Sequence, residues 1–532
     1  MPDIALEGCR PQPLMSYLKA LGVFRVVAEQ ADPEARLWWH DIEHEAGERV
    51  AVGQFHPAGS GLPNTTSSGR EPASTANPWD VVLMLEGSLL FAGGVARRLG
   101  DQEALFPFTS PARGVARLGR SLAPSADSDV RGETWLPLWS RPVALSGLRR
   151  LLAEGRAQDD RAQARSGRAL SRAVATLGVD RGLDAFERVV YAQRFGRNYV
   201  AVPADRVAVR ASREVEAQRA ADWWLDRVRR VSTPSVRDAV ARVDRAAYET
   251  ALGAPGAAER WLLALADARL AVGRQVRLHD PAEGVPPLDA LSPRVAHLVD
   301  DGSVEYRLAC ALAAVGRAPG TEPPVPTLRA LVEPVGLDRG GRLAWSGGAS
   351  SARGLHRRPL DLLIAVARAA PPAGASAGAR LGDIRAFLAG AVDDARIVRL
   401  AVAIAMCRPP ASPDRAPSHR VRGLDRSYAL AYLSARAGEA ARPGGGSLPV
   451  RPAPLVVPAL AAGAVRRACT LAAMRLRADG LAPHRSLAQV ELTHTAARRV
   501  AAALAFPLNP ADRPALEAAA LAPVPEPQGA TP

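Results

Sequence analysis

Lysine is almost missing from this sequence. Lys19 is the only one, so the formal net charge of +14 rests on arginine. A restriction-type nuclease site sets a lysine beside its carboxylates, and Lys19 sits in an amphipathic stretch without a suitable acidic pair. Cysteine is scarce too: Cys9, Cys310, Cys407 and Cys469. They are too scattered for a zinc-site spacing or a disulfide framework, and read as buried thiols in a reducing compartment. Aromatic residues make up only 5% of the chain. The longest apolar stretch, Val81 to Ala96, contains Glu86. It falls short of the ~20 apolar residues of a membrane span. The N-terminus has no basic region followed by an apolar core, so no signal peptide is expected and the protein is expected to be cytoplasmic and soluble. A Walker-type phosphate loop and a glycine fingerprint for a dinucleotide are both missing.

What is present bounds the fold. The 532 residues allow two to four domains with a substantial core, and 48% are hydrophobic. The pattern predicts a mainly α protein with a small β component (α+β). An N-terminal α+β domain is expected over 1–205, a mostly helical middle domain over 206–370, a C-terminal helical bundle over 380–520 and a disordered tail over 521–532. The N-terminal domain is expected to form around a core helix over 78–99. Asn77 is a good N-cap, Pro78 suits the first helical position, Asp80 favours the positive dipole end, and Gly100 can cap the C-terminus.

Two explanations of the arginine excess compete. Codon usage in a GC-rich genome favours Arg over Lys. It does not account for the surplus of positive over negative charge, which points to a polyanion such as nucleic acid. A helix is expected from Leu145 to Leu177, on which Arg161, Arg165, Arg168 and Arg172 fall at i, i+4, i+7 and i+11. One reading is a solvated face paired with Asp159, Asp160 or Glu154. The other is a ridge that follows a phosphate backbone without reading sequence. Arg181 belongs to a turn. Arg194, Phe195, Arg197 and Asn198 suit base stacking with phosphate contact, or a plain surface hairpin. Asn64, in the Gly59–Gly69 loop, and Arg141, in the Trp135–Arg141 loop, are weaker candidates for duplex readout. Trp223, Trp224 and Trp261 read as core anchors rather than stacking platforms.

Catalytic signals are poor. Gly374-Ala375-Ser376-Ala377-Gly378 has the spacing of a nucleophile elbow but follows Pro371-Pro372 in a low-complexity linker, without the strand and helix that motif needs. His279-Asp280 and His40-Asp41 resemble metal-binding pairs, but no further ligands follow at matching spacing, and His40 to His44 lacks the zinc-protease order. No catalytic residue, metal or cofactor is assigned.

Several blocks, in one order, carry a family resemblance. They are Glu7 to Pro11, Ser16 to Val23, Ala28 to Arg36, Val52 to Phe55, Asn77 to Gly94, Trp135 to Pro142, Glu154 to Gln158 and Ala175 to Gly182. Together they resemble the N-terminal part of the type I-G (formerly I-U) CRISPR-associated large subunit, the counterpart of the large subunit in Cascade complexes. The resemblance spans roughly the first 210 residues. In that family a long segment separates the Trp-Trp block from the Val-Gly-Gln-Phe block, whereas only His40 to Ala51 joins them here. The resemblance implies a non-catalytic subunit that works with CRISPR RNA, target DNA, a repeated backbone subunit, a guide-end subunit and a helicase-nuclease, away from membranes. It would recognise the short motif beside the target and steady the opened strands, while base pairing supplies sequence specificity.

Overall fold

A computed structural model describes residues 49–50, 74–75, 108–111, 130–154, 158–159, 162–163, 167–177, 179, 182–194, 198–280, 284–316, 327–346, 358–369, 378–408, 426–436, 438–441, 447–484 and 492–522. The protein is mainly helical with a few small antiparallel sheets. The expected core helix over 78–99 lies outside the described residues, as do Lys19, His40 and His44. The chain forms two compact units, 1–215 with 251–253, and 216–250 with 254–532.

The first unit begins with a two-residue ladder, β1 Arg49–Val50 on β2 Ser74–Thr75. Its centre is a four-stranded antiparallel sheet: β3 Thr109–Pro111, β4 Val130–Leu138, β7 Ala185–Arg194 and β8 Asn198–Ala208, in that order across the sheet. Between β4 and β7 come α1 Leu145–Glu154, a small hairpin of β5 Gln158–Asp159 and β6 Ala162–Gln163, and α2 Gly167–Ala175. Trp135 is fully buried, edge-on to Phe186, and Phe108 lies 5.4 Å from Phe186, ring centre to ring centre. Leu170, Ala173 and Val174 supply the buried face of α2.

One polar device crosses this sheet. Trp135 and Arg188 face each other across β4 and β7, and Arg188 faces Asp205 across β7 and β8. Arg188 is 1% exposed and donates through Nε to Glu133 at 2.9 Å and through Nη1 to Asp205 at 2.7 Å. The other Glu133 oxygen accepts from the Trp135 indole at 3.1 Å. A buried carboxylate is tolerable here because a guanidinium and an indole satisfy both its oxygens.

The second unit is helical. Its first elements are α3 Arg213–Gln218, which brings the chain in from the first unit, then α4 Asp222–Val228, α5 Pro234–Ala251, α6 Ala257–Gly273, α7 Pro293–His297 and α8 Val304–Ala313. Next come α9 Thr327–Val332, the hairpin of β9 Val335–Leu337 and β10 Leu343–Trp345, α10 Pro359–Ala369, α11 Leu381–Leu388 and α12 Asp394–Ile404. The β9–β10 hairpin ends at Trp345, and α11 and α12 follow one another as a helix pair. The last elements are α13 Arg426–Arg436, the hairpin of β11 Glu439–Ala441 and β12 Ser447–Pro449, α14 Val456–Ala461, α15 Val465–Ala478, α16 His494–Ala503 and α17 Arg513–Ala520. Helix starts follow local chemistry: Ser303, Asp393 and Thr493 each accept a backbone N–H in the first turn of α8, α12 and α16. Helix α8 packs on α12, α10 on α16, and α13 on both α15 and α17. A continuous apolar core runs from Ala221 to Ala520.

Arginine forks tie this core together. Arg307 of α8 grips Asp383 of α11 through two bonds, and Arg499 of α16 grips Asp394 of α12 in the same way. Arg396 of α12 reaches Glu259 of α6 and Asp301. Deepest of all, Glu333 lies between Arg269 and Arg329, all three buried. Their outer nitrogens donate to the Val402 carbonyl at 2.9 Å and the Leu288 carbonyl at 2.5 Å. Burial lowers the Arg269 pKa, Glu333 opposes that and Arg329 adds to it, leaving the guanidinium at about 10 and charged at neutral pH.

Two outcomes follow. Glu333→Ala leaves two guanidiniums buried without their counter-charge and should cost about 3–5 kcal/mol, read as a lower urea midpoint. An unchanged midpoint would show that the cluster contributes little. At Asp301, desolvation pushes the carboxyl up, but bonds from Ser303 and Arg396 outweigh it and hold the pKa at about 2. The folded pKa is thus below the unfolded value near 3.9, so the stabilisation is full above about pH 4 and lost as pH falls toward 2. Asp301→Asn should flatten the urea midpoint over that acid window and nowhere else.

Candidate nucleic-acid interface

The single helix expected to carry the arginine stripe is not there. The chain from Leu145 to Leu177 is two helices separated by a β hairpin, not one helix. Arg161 and Arg165 lie outside the described residues, on the stretch between α1 and α2. Arg168 is half-buried and Arg172 is 3% exposed, inside the unit rather than on a ridge. The spacing misled because arginine is frequent enough in this chain to produce helical intervals by chance, whereas Gly155 behind Glu154 was the better signal, a helix stop.

The Trp135–Arg141 segment also differs from expectation. Val130 to Leu138 is an interior strand of the sheet with Trp135 at its core, so this is no loop for duplex readout. Arg141 follows the strand and is exposed. Arg194 and Asn198 face each other at the end of the β7–β8 pair, and Arg197 lies outside the described residues. Arg181 and Asn64 also lie outside them.

A different basic surface stands out in the second unit. Between Glu439 and Asp479 the chain holds Arg442, Arg451, Arg466, Arg467, Arg475 and Arg477 and not one carboxylate. The α14–α15 pair presents most of them. Arg466, Arg467 and Arg477 are exposed on α15, with Thr470 and the 60% exposed Met474 between them. At 1.5 Å per residue, Arg466 and Arg477 are about 16 Å apart along the axis. Arg451 is exposed and Arg475 half-buried; both pair with Asp479, at 3.2 and 3.5 Å, and the Asp479 side chain is only 3% exposed. The Arg475 Nε also donates to the Arg451 carbonyl at 2.9 Å. Asp479 is thus engaged by Arg451 and Arg475, while Arg467 and Arg477 have no carboxylate partner among the described residues.

Helix stability does not explain this charge. The first turn of α15 has two arginines, no acidic residue and an alanine N-cap with no side-chain bond. Positive charge at a helix N-terminus opposes the macrodipole by a few tenths of a kcal/mol per residue. Such a face fits the oxygens of a polyanion, which guanidiniums bind as forks. The sequence signal for it was the missing carboxylates, not the period of the arginines.

The remaining chemistry is quiet. Among the described residues no group of three or more His, Cys, Asp and Glu could hold a metal ion. His279 lies flat against Trp345, ring centres 4.1 Å apart, and burial lowers its pKa against the hydrogen bonds it donates to the Val272 and Gly273 backbone. Burial pushes the Cys310 thiol up to about 11, and Cys407 and Cys469 are buried free thiols. The residues Gly374 to Ala377 lie outside the described residues. Among the described residues no helix is long and apolar enough to cross a membrane.

No family model matches the chain, and no curated protein matches it significantly.

Changing Arg466, Arg467 and Arg477 together to alanine should flatten the log–log salt dependence of single-strand binding by about 2, at about 0.7 per lost phosphate contact. The same protein should keep its urea midpoint to within about 0.5 kcal/mol per site, as surface changes do. An unchanged slope would remove α15 from the interface.

Proposed function

We propose that this protein is the non-catalytic, nucleic-acid-binding large subunit of a type I-G CRISPR interference complex. The exposed arginines of α15, in a run of chain from 440 to 478 that holds no carboxylate, support the nucleic-acid half of this reading, since closely spaced exposed guanidiniums are what a strand backbone requires. The resemblance over the first 210 residues carries the other half. On this reading the protein works in the cytoplasm with CRISPR RNA, target DNA, the backbone and guide-end subunits and the helicase-nuclease. It steadies the opened strands while base pairing reads the sequence.

A second reading, a scaffold that binds only proteins, draws support from the exposed apolar Met474 and Leu455 on α15 and just before α14. The two separate in one experiment. The chain is co-expressed with the neighbouring complex subunits and guide RNA, purified, and titrated with target duplex at several salt concentrations, as wild type and as the triple Arg466, Arg467, Arg477 alanine variant. The proposed function expects the variant complex to assemble but to bind target more weakly and with a shallower salt slope. Loss of assembly with unchanged target binding by what remains favours the scaffold. A wild-type chain that neither co-purifies with guide RNA nor binds nucleic acid overturns the proposal.

A further inference from the structure

Adjacent tryptophans on α4 have opposite fates. Trp224 is fully buried and its indole donates to the Pro286 carbonyl at 3.0 Å, so it anchors the core. Trp223 is 41% exposed, the only exposed Phe, Trp or Tyr among those whose burial is described. Burying a large apolar side chain stabilises a fold, so an indole left in water forgoes part of that stabilisation. Arginines flank it on both sides in the chain. Arg219, Trp223 and Arg227 fall at i, i+4 and i+8, with Arg230 three residues further, and the Arg227 guanidinium lies 5.8 Å from the Trp223 ring centre. Of the nearby carboxylates, Asp226 and Asp244 both bind Arg229 at 2.6 Å, Asp222 also acts on Arg229, and Glu216 lies 3.3 Å from Arg219. Arg227 and Arg230 are exposed, and neither has a carboxylate partner among the described residues.

We infer that Trp223 is a stacking platform for an unpaired base of single-stranded nucleic acid, with Arg227 and Arg230 receiving the adjoining phosphates. Every base has a π-face, so an exposed indole holds a splayed strand whatever its sequence, and guanidiniums beside it neutralise the backbone. A paired base offers no such face, which makes this site selective for opened strands. The inference rests on the proposed nucleic-acid function but on residues separate from α15.

The test uses the full chain and two probes, a thymidine homo-oligonucleotide and a backbone of equal length made of abasic residues. Wild type should bind the abasic strand about tenfold more weakly than the thymidine strand, the size of one stacking contact. Trp223→Ala should lose most of that difference while keeping its salt dependence, and Trp223→Phe should retain most of it. An equal abasic penalty in wild type and Trp223→Ala overturns the inference. If the alanine variant instead loses its partner subunits with the penalty unchanged, the indole is a protein contact and the inference is likewise overturned. Failure of wild type to bind either probe sinks the proposed function together with this inference, which distinguishes the two.

Discussion

The helical unit depends on guanidinium–carboxylate forks set between its helices. Arg269 and Arg329 share Glu333 in the core, while Arg307, Arg396 and Arg499 fasten α8, α12 and α16 to neighbouring elements. An alanine-rich core has small side chains and little area per residue to bury, so helix positions are weakly specified by packing alone. A planar, always-charged group that bonds two oxygens at once fixes distance and angle together, which lysine cannot do. Each buried pair is conditional: intact, it is roughly neutral in energy, but with one partner removed it becomes a large liability.

This gives the arginine content a cause besides codon usage and polyanion binding. Many guanidiniums are structural, with carboxylates spaced far along the chain, such as Arg498 with Asp361 and Arg396 with Glu259. Total charge is therefore a poor guide to where a strand would lie. The informative arginines are those left over once the internal pairs are assigned. Arg467 and Arg477 on α15, and Arg227 and Arg230 beside Trp223, are exposed with no carboxylate partner among the described residues, and those are the places where a polyanion gains most.

Residue pairs in the first unit show why local pattern was an unreliable guide to surface. The Glu133–Trp135 stretch has the look of a functional loop because it combines a charge, a tryptophan and later prolines. In the sheet the same residues form a closed device, with Arg188 arriving from β7 to satisfy Glu133. Nothing near Glu133 in the chain announces a partner 55 positions away. Arg172 is similar: its spacing matched a ridge, and the fold placed it inside.

The sequence by itself determined the mainly helical class, the helix starts at Ser303, Asp393 and Thr493, the hairpin at Trp345 and the excess of positive charge. These depend on capping, periodicity and composition, which act within a few residues. It also carried the carboxylate-free run from Glu439 to Asp479, legible as a gap rather than a motif. Tertiary structure alone decided which arginines are spent and which are free, and which of two neighbouring tryptophans faces water. Burial and ion pairing are set by residues distant in the chain, so identical local sequence can end in the core or on the surface.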